Sequence, residues 1–147
     1  MKEIKWLFEV SKELKTGIVA YCYDFIDKLQ LIDFSAKLME SGYYEDDIEI
    51  LAGGELYDYE VFRNVVYDKK KKITVEEKAK EIKKIELADL LELRAEKLSG
   101  DELRGKLEYI NAKYSYPEEF ISFSRYSSIL LVPEEALDKA ILFLQKV

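Results

Sequence analysis

The densest chemistry in this sequence is carboxylate. Between Glu40 and Glu60 stand eight acidic residues, Glu40, Glu45, Asp46, Asp47, Glu49, Glu55, Asp58 and Glu60, with no lysine or arginine among them. Tyr43, Tyr44, Tyr57 and Tyr59 are interleaved with them. A tyrosine ring offers large contact area and a hydrogen-bonding tip at small entropic cost, which is what interface anchors supply. The expectation is a negative, tyrosine-bearing face built from Tyr43, Tyr44, Asp46, Asp47, Glu49, Glu55, Tyr57, Asp58, Tyr59 and Glu60, suited to a protein partner with a basic surface. The competing reading is a solvated helix pair whose tyrosines merely roof the core, because charge runs are usually solvated faces. Lysines from the 69–84 stretch set against these carboxylates would neutralise the face internally and remove the first reading.

Other chemistries fare worse. The chain has no histidine, so the usual general base near neutral pH, the commonest metal ligand and every Ser-His or Cys-His nucleophile are absent, and no catalytic residue is assigned. Its single cysteine, Cys22, can form no intramolecular disulfide and no four-cysteine zinc site. Lying between Tyr21 and Phe25 on an apolar stripe, it reads as a small core residue rather than a reactive thiol. The carboxylates of Glu45 to Glu55 lack the alternating ligands and central glycine of a calcium loop and read instead as an amphipathic helix. Paired acids for glycoside hydrolysis can be found among thirty carboxylates, but nothing in the pattern marks one as buried. Gly53-Gly54 lacks the lysine and hydroxyl context of a phosphate loop, and Gly100 with Gly105 is no dinucleotide fingerprint. No metal and no cofactor is expected.

Lys69 to Lys72, with Lys78, Lys80, Lys83 and Lys84, form a basic stretch, but Glu76, Glu77 and Glu81 interrupt it at spacings that make ordinary surface pairs. Glu81-Ile82-Lys83 after acidic residues is too short to distinguish a nuclease element from chance. With net charge −7, nucleic acid would meet global repulsion, and none is expected as a partner.

The elements that must carry these residues are helical. Ile18, Tyr21, Cys22, Phe25, Ile26 and Leu29 follow one helical face, with Thr16 and Gly17 as its start, and Trp6, Leu7, Val10 and Leu14 fit a short helix before it from about Lys2. Leu31, Phe34, Leu38 and Met39 repeat the stripe up to Gly42, placed for a left-handed cap. A short helix from Glu45 turns Ile48, Leu51 and Ala52 inward and stops at Gly53-Gly54, a pair able to supply positive φ. A helix from about Glu55 to Tyr67 follows, where Val61, Phe62, Val65 and Val66 also suit a strand, but strict alternation is lacking. Lys69 to Lys72 reads as a loop.

Thr74 and Glu77 have capping-box spacing, so a long helix starts at Val75; its stripe drifts between Ile82 and Leu87, which predicts a bend near Glu86 or two different neighbours. Ser99 and Glu102 repeat the box ahead of Leu103, Leu107, Ile110 and Tyr114. Pro117 and Pro133, each followed by two glutamates, mark helix starts. Ser127 to Val132 reads as extended, and Leu137, Ala140, Ile141 and Leu144 make the last helix.

At 147 residues, 36% charged and 48% apolar, the chain has the balance of one globular domain, 1–147. No repeat of 20 to 50 residues is visible. The fold class expected is all-α, a single-domain irregular bundle of about seven or eight helices, with stacked antiparallel helix pairs as one arrangement of it. Lys2, Glu3, Lys5 and Glu9 break the amino terminus, so a signal peptide is not expected, and no apolar run has the length of a membrane span. With one cysteine, the reducing cytoplasm is the expected location.

The stretch Tyr116-Pro117-Glu118-Glu119-Phe120-Ile121-Ser122-Phe123-Ser124-Arg125-Tyr126, preceded by the helix through Tyr109 and Tyr114, resembles a motif of an uncharacterised bacterial all-helical family, and the Phe34-Ser35-Ala36 to Gly42 segment is similar to it too. That domain-of-unknown-function group is associated with toxin and immunity gene neighbourhoods. The resemblance implies an immunity role and supplies no catalytic residues. The leading expectation is a non-catalytic protein that binds another protein, in its narrower form an immunity factor occluding a bacterial toxin. A homo-oligomeric structural module is the alternative, and an enzyme with carboxylate-based chemistry is third.

Overall fold

The computed structural model describes residues 1–54, 58–120 and 132–146; these are all-α, with no strand among them. In chain order the helices are α1 (Lys5–Val10), α2 (Leu14–Cys22), α3 (Lys28–Glu40), α4 (Asp46–Ala52), α5 (Tyr59–Lys71), α6 (Val75–Ala95), α7 (Gly100–Lys113) and α8 (Pro133–Gln145), with a 3-10 turn at Glu118–Phe120. The chain divides into two compact units, Met1–Ile85 and Glu86–Val147, so that α6 contributes to both. No described helix is long and apolar enough to cross a membrane.

In the first unit, α3 packs on α2 and α4, and α5 on α2 and α4. Leu7, Ile18, Leu31, Phe34, Leu38, Leu51 and Phe62 are its buried centre. The stripe from Ile18 to Leu29 is not one helix, because the chain breaks at Tyr23 and Asp24, the latter at φ +63°, and restarts at Lys28. The restart has a local cause: Asp27 accepts from the Gln30 amide at 2.8 Å while the Gln30 side chain accepts from the Asp27 amide at 3.0 Å, a complete capping box. Leu29 is consequently exposed. Thr16 and Gly17, expected at a helix start, lie inside α2, and Leu14 opens that helix instead of closing α1. At Gly17 α3 comes close: a Cβ there would stand 2.7 Å from the Phe34 ring.

Gly42 has the expected left-handed φ of +98°. Gly53 does not, with φ −86°, and Gly54 serves close packing instead, since a Cβ there would meet Ile32 at 2.7 Å. The helical alternative holds for α5, which turns Phe62 and Val66 inward. It begins at Tyr59, and it absorbs Lys69, Lys70 and Lys71, which were expected in a loop. Three ammoniums in a last turn face the negative end of the helix dipole, which favours continuing the helix through them.

In α6 the Thr74 hydroxyl accepts from the Glu77 amide at 3.1 Å and Glu77 accepts from the Thr74 amide at 3.4 Å, as the spacing predicts. Ile85 to Leu90 are all buried, which accounts for the drift of the stripe near Glu86. In the second unit, α7 buries Leu103, Leu107 and Ile110, and α8 buries Leu137, Ala140, Ile141 and Leu144. Ser99 makes no side-chain cap; Glu134, from the first turn of α8, accepts from the Gly100 amide at 3.1 Å in its place. Pro133 opens α8 as expected, whereas Pro117 precedes only the 3-10 turn, with Phe120 buried. Of the run from Ser127 to Val132, only Val132 is described, extended at ψ 152° as the cap of α8; the rest, and Ile121 to Tyr126 of the motif, lie outside the described residues.

Candidate functional site

The acidic candidates begin where α3 ends. Past Gly42 the chain runs through Tyr43 and Tyr44 to Glu45, the cap of α4, whose first turn carries Asp46, Asp47 and Glu49. Carboxylates there interact favourably with the exposed amides and positive end of the helix. Ile48 and Leu51 face the core, which leaves Asp46 and Glu49 in solvent. Tyr44 is 67% exposed and Tyr43 43%. Among the described residues Glu45, Asp46 and Glu49 make no ion pair.

Asp47 departs from the expectation. It is partly covered and pairs with Lys69 at 3.0 Å, a lysine of the very stretch that would neutralise the face. The pairing follows from topology. Gly54, just past α4, lies against Phe62 near the start of α5, so α4 and α5 run antiparallel and the first turn of α4 meets the last turn of α5. Between partly exposed side chains such a pair is worth only about 0–1 kcal/mol. One carboxylate is withdrawn from the face, and the remaining three keep its sign.

The other candidates lie elsewhere. Asp58 caps α5, with its side chain 3.5 Å from the Glu60 amide, and Tyr59 follows it, 61% exposed. Ten residues of α5 separate Tyr59 from Lys69, about 15 Å of helix at 1.5 Å per residue. The set is therefore two patches rather than one surface: Tyr43–Glu49 at one end of α5 and Asp58–Glu60 at the other. The second is mixed in charge, since Lys28 Nζ lies 5.5 Å and the Arg63 guanidinium 5.8 Å from the centre of the Tyr59 ring. Glu55 and Tyr57 lie outside the described residues.

Beside the first patch runs a groove of about 410 Å³, whose lining includes Tyr43, Glu45 and Ile48 together with Lys12, Lys15, Lys69 and Lys72. Lys15 is held 3.3 Å from Glu77, a contact that raises its ammonium above the ordinary lysine value. Glu77 is held low, first by the Thr74 amide and then by Lys15. The acidic patch thus ends at a basic edge.

Models of known protein families, curated proteins and solved structures contain no match to this chain.

Sequence reasoning missed the buried polar groups. Glu81, read as half of a surface pair, is 1% exposed; it accepts from the Thr16 hydroxyl at 2.8 Å and from Lys84 at 2.9 Å. Thr16 is bonded in turn to the Ser11 hydroxyl at 2.6 Å. In the second unit Asp89 is buried, accepting from Lys113 at 2.8 Å and from the Tyr114 hydroxyl. Burial first, and the Asp89 charge second, push that hydroxyl far above the ordinary tyrosine value. Glu86 and Asn111 are buried too, and Asn111 Oδ1 finds no hydrogen-bond partner among the described residues. The available signal was register: Glu81, Ile85 and Ala88 lie three and four residues apart on one face, as do Ile85 and Asp89. Cys22 is half-buried rather than core, and desolvation raises its thiol. No three acidic or cysteine side chains converge as metal ligands among the described residues.

Proposed function

We propose that the protein acts by binding another protein, with the Tyr43–Glu49 patch meeting a basic surface. The observation that supports this best is the exposure of Tyr44 beside Glu45, Asp46 and Glu49, three carboxylates without ion pairs among the described residues. Negative charge concentrated beside a large amphipathic anchor speeds encounter with a cationic partner, and the anchor slows release. Asp58, Tyr59 and Glu60 fall outside this contact, since the length of α5 separates them from it. In its narrower form, resting on the family resemblance alone, the partner is a bacterial toxin and the setting the cytoplasm.

A photo-crosslinking residue in place of Tyr44, in the source cell, is expected to capture one dominant partner. With that partner purified, the triple reversal Glu45→Lys, Asp46→Lys, Glu49→Lys should slow association at least tenfold at low salt, within the range electrostatic steering spans, and reverse the sign of its salt dependence. An unchanged rate and salt dependence would remove the patch from the mechanism. Capture of a second copy of the chain would favour a homo-oligomer, the reading to which exposed Leu142 and Phe143 on α8 lend support.

A further inference from the structure

A separate cavity of about 190 Å³ opens where α2 passes the junction of α5 and α6. Ile18 and Val19, both buried, form its floor with Ile73, and Tyr23 stands at its side. Cys22, Thr74, Val75 and two lysines complete the lining. Lys78 Nζ lies 4.0 Å from the centre of the Tyr23 ring and Lys70 Nζ 5.4 Å from the same point. The sum of those distances is the most that can separate the two ammoniums. Neither makes an ion pair with a carboxylate among the described residues, although the chain carries 30 acidic side chains against 23 basic ones. Two like charges thus both approach one aromatic ring, whose quadrupole attracts each of them, and neither has an ion-pair partner among the described residues.

We propose that this cavity binds a small aromatic carboxylate, its ring on Ile18, Val19 and Ile73 and its carboxylate between Lys70 and Lys78. Size, floor and charge each narrow the class. A cavity of about 150 Å³ accommodates benzene, so this one takes a single ring with one charged substituent, and drug-sized or nucleotide ligands need pockets of about 300 Å³ or more. Apolar side chains beneath the ammoniums disfavour a fully hydrated inorganic anion, whose oxygens would lose water against Ile18 and Val19 without gaining donors. A ring-bearing monoanion satisfies both parts at once: it buries apolar area below and relieves the lysine repulsion above. Cys22 borders the cavity as a neutral thiol and has no part in holding the charge. This site shares no residue with the acidic patch, so the two assignments stand or fall separately.

The test uses the intact chain with benzoate as probe, followed by methyl NMR and calorimetry. Benzoate should cause saturable shifts confined to the methyls that line the cavity, those of Ile18, Val19, Ile73, Thr74 and Val75. Lys70→Gln, at an exposed position, and Lys78→Gln, at a half-buried one, should each weaken binding about tenfold, the loss of one charge-assisted contact. Benzamide, the neutral isostere, should bind at least tenfold more weakly than benzoate, and inorganic phosphate should not compete. Absence of saturable methyl shifts, unchanged affinity in both glutamine variants, equal affinity for benzamide, or competition by phosphate at the same concentration as benzoate would each overturn the assignment.

Discussion

The ion pair of buried Glu81 with half-buried Lys84 should respond asymmetrically to losing one member or the other. Glu81 is 1% exposed, whereas the Lys84 side chain is 32% exposed. Lys84→Met strands a carboxylate out of water with the Thr16 hydroxyl as its remaining donor. Removing one partner of a buried pair costs about 3–5 kcal/mol, and the surviving hydroxyl bond brings the expectation here to about 2–3 kcal/mol. Glu81→Met is milder for two reasons. The Thr16 hydroxyl keeps its bond to Ser11, and Lys84 can turn toward water and Glu13, already 4.0 Å away, so the cost should stay under about 1 kcal/mol. The double variant, apolar on both sides, should lie within about 1 kcal/mol of the natural protein. Urea unfolding, which leaves ionic strength constant, reads the difference through Trp6, the single tryptophan and a residue of the same unit. With an m-value of about 2 kcal/mol/M, the midpoint should fall by about 1–1.5 M for Lys84→Met and by under about 0.5 M for Glu81→Met. Equal shifts, or a larger one for Glu81→Met, would refute the claim that burial of the carboxylate sets the cost.

Two glycines in helices should behave oppositely. Gly17→Ala drives a methyl to 2.7 Å from the buried Phe34 ring and should destabilise by about 1–2 kcal/mol, overpacking outweighing the helix-propensity gain, whereas Gly105→Ala, with nothing within 4 Å, should stabilise by about 0.5–1 kcal/mol; a raised thermal midpoint for the first or a lowered one for the second would contradict the respective expectation. Glu77 is held below its unfolded value, so its contribution is complete above the ordinary carboxylate range near pH 4.3 and disappears as pH falls through the lower folded value. Thr74→Ala, which keeps the backbone amide, should weaken the helix by about 1 kcal/mol through loss of the hydroxyl cap, whereas Lys15→Met should raise the Glu77 titration seen by NMR toward the ordinary value; an unmoved titration would show that Lys15 does not hold the carboxylate. Tyr114 should stay protonated through alkaline titration for as long as the second unit is folded, so Tyr114→Phe should leave the amplitude of reversible tyrosinate absorbance unchanged; a reduced amplitude would place that hydroxyl in reach of solvent.

Helix positions and several of their ends are legible in the amino-acid order, because they depend on residues within one or two turns of each other. The Thr74–Glu77 box, Gly42 at a left-handed cap and Pro133 at a first helical position are local chemistry, and each stands where spacing puts it. Where the fold departs from the spacing, the causes are both local and distant. Asp27-Lys28-Leu29-Gln30 carries a capping signal inside an apolar stripe of continuous helical period, and the cap prevails. Ser99 has the spacing of a cap, but Glu134, thirty-four residues away at the Gly100 amide, takes its place.

For the candidate site, composition alone identifies the concentration of negative charge between Glu40 and Glu60, since a run without lysine or arginine has no cation of its own. Tertiary packing decides which carboxylates keep that charge. Setting α4 antiparallel to α5 brings Lys69 to Asp47, and the length of α5 carries Asp58, Tyr59 and Glu60 away from Tyr44. Packing likewise buries Glu81 against Thr16, sixty-five residues distant, and gathers Lys70 and Lys78 over Tyr23. Periodicity records which face of a helix is apolar, a property repeated every few residues; which neighbour that face meets depends on contacts across tens of residues, and those exist only once the chain has folded.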